Sequence, residues 1–181
     1  MIPTEQQLTD AIEVATRKAV VSLFREHPEK FYYLSLITSG EGHSPFLAAW
    51  SFEALDEAVR RHPDGDEVRR DLKWSFADSP YLLYGENEFE RVNRLFSRRP
   101  ELNSTLAADD WFAEYSLRIR AMELAMKRLD LEGLFGVGDA RLEIVVNVEV
   151  MPPDHTNVER ALRLNPPLAL TDWLEDVAEF Q

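Results

Sequence analysis

The chain contains no cysteine, which excludes disulfides, thiolate nucleophiles and sulfur-ligated zinc, and fits a reducing compartment. No apolar run approaches the ~20 residues that a membrane-spanning helix needs. The start, Met1 to Val14, has neither the basic stretch nor the apolar segment of a signal peptide. The expectation is a cytoplasmic protein with no membrane partner. Positive charge is scarce: 20 Lys and Arg stand against 33 Asp and Glu, a net charge of -13, and no basic patch is segregated along the chain. That balance argues against nucleic acid and anionic lipid as partners.

Catalytic and ligand-binding signatures are missing too. His27, His43, His62 and His155 are scattered over loops and helix ends with no close pair, so they read as solvated side chains, and no metal is expected. Gly133, Gly136 and Gly138 follow a helix and precede a strand, the reverse of a dinucleotide fingerprint, and nothing resembles a phosphate-binding loop. Asp64, Asp66 and Glu67 lack the spacing of a calcium loop. Ser35, Ser39 and Ser44 have no elbow around them, and Asp109 with Asp110 are explained by a helix start. No catalytic, cofactor-binding or metal-ligating residue is assigned.

What is present is a pattern of elements. At 181 residues the chain is expected to be one domain, 1–181, that buries roughly 70% of its unfolded surface. Thr4 and Gln7 form a candidate capping box for a helix to about Glu26, with Leu8, Ile12, Ala15, Ala19 and Leu23 inward and Glu13 paired with Arg17. Residues 31–37 and 45–52 are rich in branched and aromatic side chains around a glycine-containing loop, which predicts a hairpin. Helical spacing recurs at Leu55, Ala58 and Val59. Leu72, Trp74 and Phe76 alternate with polar residues, predicting a central strand that stops near Asp78-Ser79-Pro80. Phe89, Val92 and Phe96 then mark a helix ended by Pro100.

A long helix from Asp109 to about Leu131 carries the stripe Phe112, Tyr115, Ile119, Met122, Met126 and Leu129, which predicts packing along its whole length. Residues 142–150 read as a strand with one half-solvated face bearing Glu143, Asn147 and Glu149. Thr156 to Glu159 is a further capping box, and a last helix begins near Thr171. The order predicts an α+β fold, an antiparallel or mixed sheet of about four strands with helices packed on one face.

The run Trp74-Ser75, Asp78 and Tyr81, with residues 31–55 upstream, resembles the bacterial family known as domain of unknown function 4303. The resemblance implies a small cytoplasmic α+β protein, with members near toxin and immunity genes, and brings no catalytic residues. Two functions are weighed. One is a non-catalytic protein-binding module, an acidic immunity protein that neutralises a basic toxin through electrostatic complementarity. The alternative is a small hydrolase or ligand-binding enzyme with a cleft near Asp78 and Tyr81. The partner-binding candidates are Tyr81 and Tyr84, where at least one ring should reach the surface, and the acidic stripe Asp172, Glu175, Asp176 and Glu179 on the last helix. Partner identity and oligomeric state stay open.

Overall fold

A computed structural model describes residues 1–178. The first helix, α1 (Glu5–Glu26), starts where the capping box places it: the Thr4 hydroxyl accepts from the Gln7 amide at 3.2 Å and Gln7 accepts from the Thr4 amide at 2.9 Å. All five predicted inward residues are buried, and Glu13 bonds Arg17 at 2.7 Å. Strands β1 (Phe31–Ser39) and β2 (Phe46–Ser51) form the expected antiparallel hairpin. Helices α2 (Phe52–Arg61), α3 (Arg69–Lys73) and α4 (Glu90–Phe96) follow, then α5 (Ala108–Leu131), β3 (Val145–Met151), α6 (His155–Leu164) and α7 (Thr171–Ala178).

The sheet is mixed, with order β2-β1-β3 and β3 parallel to β1. It has three strands rather than about four, because the stretch Leu72 to Phe76 is not a strand. Residues 69–73 coil into α3, and the chain then turns through Trp74 to Ser79 as a strap over the sheet. Its apolar alternation has another cause: Leu72 and Trp74 pack on Tyr32, Tyr33 and Trp50, and Phe76 meets Phe46 with ring centroids 6.2 Å apart.

Helices cover both faces, not one. Leu34, Leu36, Leu47, Ala49, Val146 and Val148 point into a core shared with α1, α4 and α5. On the opposite face, Tyr33 and Trp50 meet Leu55 and Val59 of α2, while Val145 meets Ala161 of α6 and Trp173 of α7. β3 is therefore buried on both sides, and Asn147 and Glu149, expected on a half-solvated face, are 0% and 8% exposed. Parallel pairing explains this, since such strands are normally covered on both faces. The strand also starts later than expected, residues 138–143 forming a 3-10 turn. Asp154, not Thr156, caps α6, accepting from the Thr156 amide at 2.9 Å.

Side chains bond backbone groups on both edges of this narrow sheet. Outside β3, Asn165 donates to Val146 O at 2.6 Å and accepts from Val146 N at 2.8 Å; Asn157 does the same for Val150, and Arg160 donates to Val148 O. Outside β2, the Ser79 hydroxyl donates to Ala49 O, and Trp50 Nε1 donates to Ser75 O at 2.7 Å. Unpaired strand backbone invites edge-to-edge association, and side-chain amides on one edge and a strap on the other remove that invitation. Among the described residues, no helix is long and apolar enough to cross a membrane.

Helix α5 corrects the expectation of full-length packing. Ile119, Met122, Met126 and Leu129 are buried, but Phe112 is 63% exposed. In the first turns the buried positions belong to Glu114 and Arg118, which bond each other at 2.7 Å.

Candidate functional site

The segment Trp74 to Tyr84 wraps the β2 edge and ends in a corner packed on the end of α1. Trp74 lies on one face of the sheet, its ring 5.2 Å from Tyr32 and 5.9 Å from Tyr33. Tyr81 lies on the other, 5.4 Å from Phe31. Ser79 sits between them, bonding the edge carbonyl of Ala49 and accepting from the Tyr81 amide at 3.0 Å. The Trp-Ser-x-x-Asp-x-x-Tyr run is thus an edge strap, with an aromatic anchor on each side of the sheet.

The corner buries one of its two tyrosines and leaves the other partly exposed. Tyr81 is buried, and its hydroxyl donates to Glu29 at 2.7 Å, a carboxylate that also receives the Ser51 hydroxyl. Tyr84 is half-buried and donates to Glu26 at 2.6 Å. His27 closes the cluster edge-on, 4.8 Å from the Tyr81 ring and 5.8 Å from the Tyr84 ring. The Tyr84 hydroxyl, followed by Ser22 and Arg25, holds Glu26 down at about 2. Burial first, and the Glu29 carboxylate second, push the Tyr81 phenol up. Both hydroxyls therefore stay protonated donors across the physiological range.

Beside buried Tyr81 and half-buried Tyr84, Leu82 and Leu83 face out, 36% and 44% exposed. Leu83 has φ 58, the only non-glycine residue with positive φ among the described residues. The left-handed region costs a residue with a Cβ about 1–2 kcal/mol. What holds it there is visible on both sides: the Glu86 amide donates to Leu83 O at 3.1 Å, and Gly85, at φ 68, lies so close to α1 that a Cβ on it would sit 2.7 Å from Ala19 Cβ. Exposed Asp78 and Glu86 flank this apolar pair in sequence, and exposed Glu88 pairs with Lys18 Nζ at 3.0 Å.

The remaining sequence candidates fall elsewhere. Asp78 accepts from the Ser75 hydroxyl at 2.5 Å, so its bond and that of Tyr81 go to different partners. On α7, Asp172 and Glu175 are exposed, but Asp176 turns inward, accepting from Trp74 Nε1 at 2.8 Å and Lys73 Nζ at 2.9 Å. Burial raises the Asp176 pKa, but the Trp74 and Lys73 donors and the Lys73 charge outweigh it, leaving Asp176 below the ordinary carboxylate range. Glu179 lies outside the described residues. The stripe therefore does not act as one free face: its inner member staples α7 to the strap.

Sequence reasoning missed three groups. Glu26 and Glu29, as tyrosine partners, carry no local signal. Leu83 has none either, because a leucine in the left-handed region is unmarked. The buried pair Tyr33 and Glu149, bonded at 2.6 Å, did leave a trace: a glutamate inside an otherwise apolar strand. Burial pushes the Glu149 carboxyl up, against the bonds from Tyr33 and its neighbours. Among the described residues, no three His, Asp or Glu side chains cluster where they would hold a metal ion.

Comparison with curated proteins and with solved structures gave no match. A family model does match, over residues 12–166, a span that includes the hairpin, the strap, the corner, α5 and β3. The chain belongs to the family described as domain of unknown function DUF4303.

Proposed function

We propose that this protein is a non-catalytic binding module that docks a basic protein through the Tyr81–Tyr84 corner, in the manner of an acidic immunity protein covering a toxin in the cytoplasm. The observation that carries this reading is Leu83: an exposed leucine held in a disfavoured backbone conformation beside a second exposed leucine. Backbone strain that the surroundings enforce marks functional positions more often than chance. Two adjacent exposed leucines on a turn make a compact apolar anchor, and the carboxylates near them in sequence supply steering toward a positive partner. The net charge of -13 acts in the same direction. The absence of cysteine supports a reducing setting.

The test uses the wild-type protein and the double variant Leu82→Ser with Leu83→Gly as baits in extracts of the source cells. A captured protein is then purified, and its association rate is measured against ionic strength. The expectation is a basic partner whose capture needs both leucines and whose association slows steeply with salt. A partner that the double variant captures equally well, or one whose association ignores salt, refutes the assignment.

A further inference from the structure

A cavity of about 680 Å³ lies at the carboxyl end of β1, between the Gly40–Pro45 connection, the end of α4 and the first turns of α5. This is the end of a parallel strand pair where open sheets hold ligands, and the volume is that of a small-molecule site. Arg99 and Arg118 form part of its wall, with side chains 8% and 5% exposed, and share the single carboxylate of Glu114. Arg99 donates to Glu114 through Nε at 2.7 Å and Nη2 at 2.5 Å, and Arg118 through Nε at 2.7 Å. Arg118 also donates to Gly42 O at 3.0 Å and Pro100 O at 2.6 Å, and Arg99 to Pro3 O.

Among the described residues, no other carboxylate pairs with either arginine. Two guanidiniums against one carboxylate leave a net positive charge in the wall. A guanidinium has five N–H groups, and each arginine commits three of them here. Ser44 lines the same cavity, and its hydroxyl is buried without a hydrogen-bond partner. An excess charge and an orphan hydroxyl, both withdrawn from water, are stabilised by a ligand that supplies acceptors. The mouth has the opposite sign, since the lining residues Glu41 and Glu101 are exposed.

We propose that this cavity binds a small zwitterionic carboxylate of amino-acid type. Its carboxylate is taken by the uncommitted N–H groups of Arg99 and Arg118 and by Ser44. Its ammonium group faces Glu41 and Glu101. One excess positive charge inside matches a single carboxylate, and the acidic mouth disfavours polyanions such as nucleotides. This site is independent of the docking corner.

The test is a thermal-shift and equilibrium-dialysis series on the full chain, with the standard amino acids, acetate and methylamine as half-ligands, and inorganic phosphate. One or more amino acids should raise the melting temperature in a concentration-dependent way, while acetate and methylamine bind at least about tenfold more weakly. Ser44→Ala and Glu101→Gln lie outside the Arg99–Glu114–Arg118 triad, so both should fold as wild type and weaken amino-acid binding about fivefold or more. Acetate or phosphate binding as tightly as the best amino acid overturns the zwitterion assignment. So does the absence of any shift at millimolar amino acid, and unchanged affinity in both variants overturns the location.

Discussion

Replacing Leu83 by alanine and by glycine separates backbone strain from side-chain contact. Both changes remove the partly exposed isobutyl group, so the two variants differ only in the Cβ. At an ordinary position, glycine is the less stable of the two by about 0.5–1 kcal/mol, because its unfolded chain has more conformations to lose. At φ 58 the Cβ itself costs about 1–2 kcal/mol, a cost that alanine keeps and glycine escapes. The balance reverses sign, and Leu83→Gly should be more stable than Leu83→Ala by about 0.5–1 kcal/mol. In a chain of this size, 1 kcal/mol moves the midpoint by about 2–4 °C, so scanning calorimetry should place Leu83→Gly about 1–4 °C above Leu83→Ala. If alanine melts higher, Leu83 is not held left-handed in solution and the pre-formed corner is refuted. The same glycine variant should lose partner binding while folding no worse than Leu83→Ala, a separation of stability from function expected where strain serves recognition.

Gly85→Ala should destabilise by about 2 kcal/mol or more in urea unfolding, since the new Cβ meets both an unfavourable φ and the backbone side of α1 at Ala19. Trp74→Ala should cost about 2 kcal/mol, less than for a fully buried ring, because Trp74 is half-buried and Asp176 loses one of its two close donors. Glu114→Gln leaves two buried guanidiniums without their carboxylate and should cost about 3–5 kcal/mol, read as a fall in the urea midpoint. Glu149 gives a pH signature: the folded state holds its proton more tightly than the unfolded state, so its contribution to stability declines as pH rises above the unfolded value near ~4.3. Glu149→Gln, which still accepts from Tyr33, should match wild type near pH 4 and exceed it at pH 8; melting curves that differ equally at both would contradict the buried, proton-retaining carboxyl.

Much of the framework is legible because it rests on short-range rules. The Thr4 capping box, the α1 stripe and the hairpin around Gly40 to Ser44 each need only neighbours in sequence. The errors arise where a distant partner decides. Leu72, Trp74 and Phe76 alternate as a strand would, but the alternation records contact with the aromatic residues of a sheet face, and the β2 edge meets the hydroxyl of Ser79 at Ala49 O. Residues 142–150 read as half-solvated because Glu143, Asn147 and Glu149 are polar, and the bonds that satisfy buried Asn147 and Glu149 come from Asn157 and Tyr33, elsewhere in the chain. Glu114 and Arg118 sit on the same stripe as Met122 and Ala125, a signal that i,i+4 charges had replaced apolar residues in the core; reading them as a surface pair would hide Arg99. For the candidate corner, the location was legible and the orientation was not: aromatic enrichment marked residues 81–84, but which side chains face out depends on Glu26 and Glu29.

The departures from local rules are not spread evenly, and their placement bears on function. A chain in which every choice agreed would have glycine at position 83 and apolar residues at 114, 118 and 149. Instead the strained leucine stands at the docking corner, and Arg118 with Glu114 stands beside the cavity at the end of β1. Glu149 is different: its partner Tyr33 is buried with it between the sheet and its covering layer, and their bond ties β3 to β1 four residues beyond Val145, the backbone partner of Tyr33. On this reasoning, Glu149 serves the fold, whereas Leu83 and the arginine pair stand at the two proposed binding sites. The distinction is measurable, since variants of Leu83, Ser44 and Glu101 should change binding without losing cooperativity of unfolding, and Glu149→Gln should leave binding unchanged.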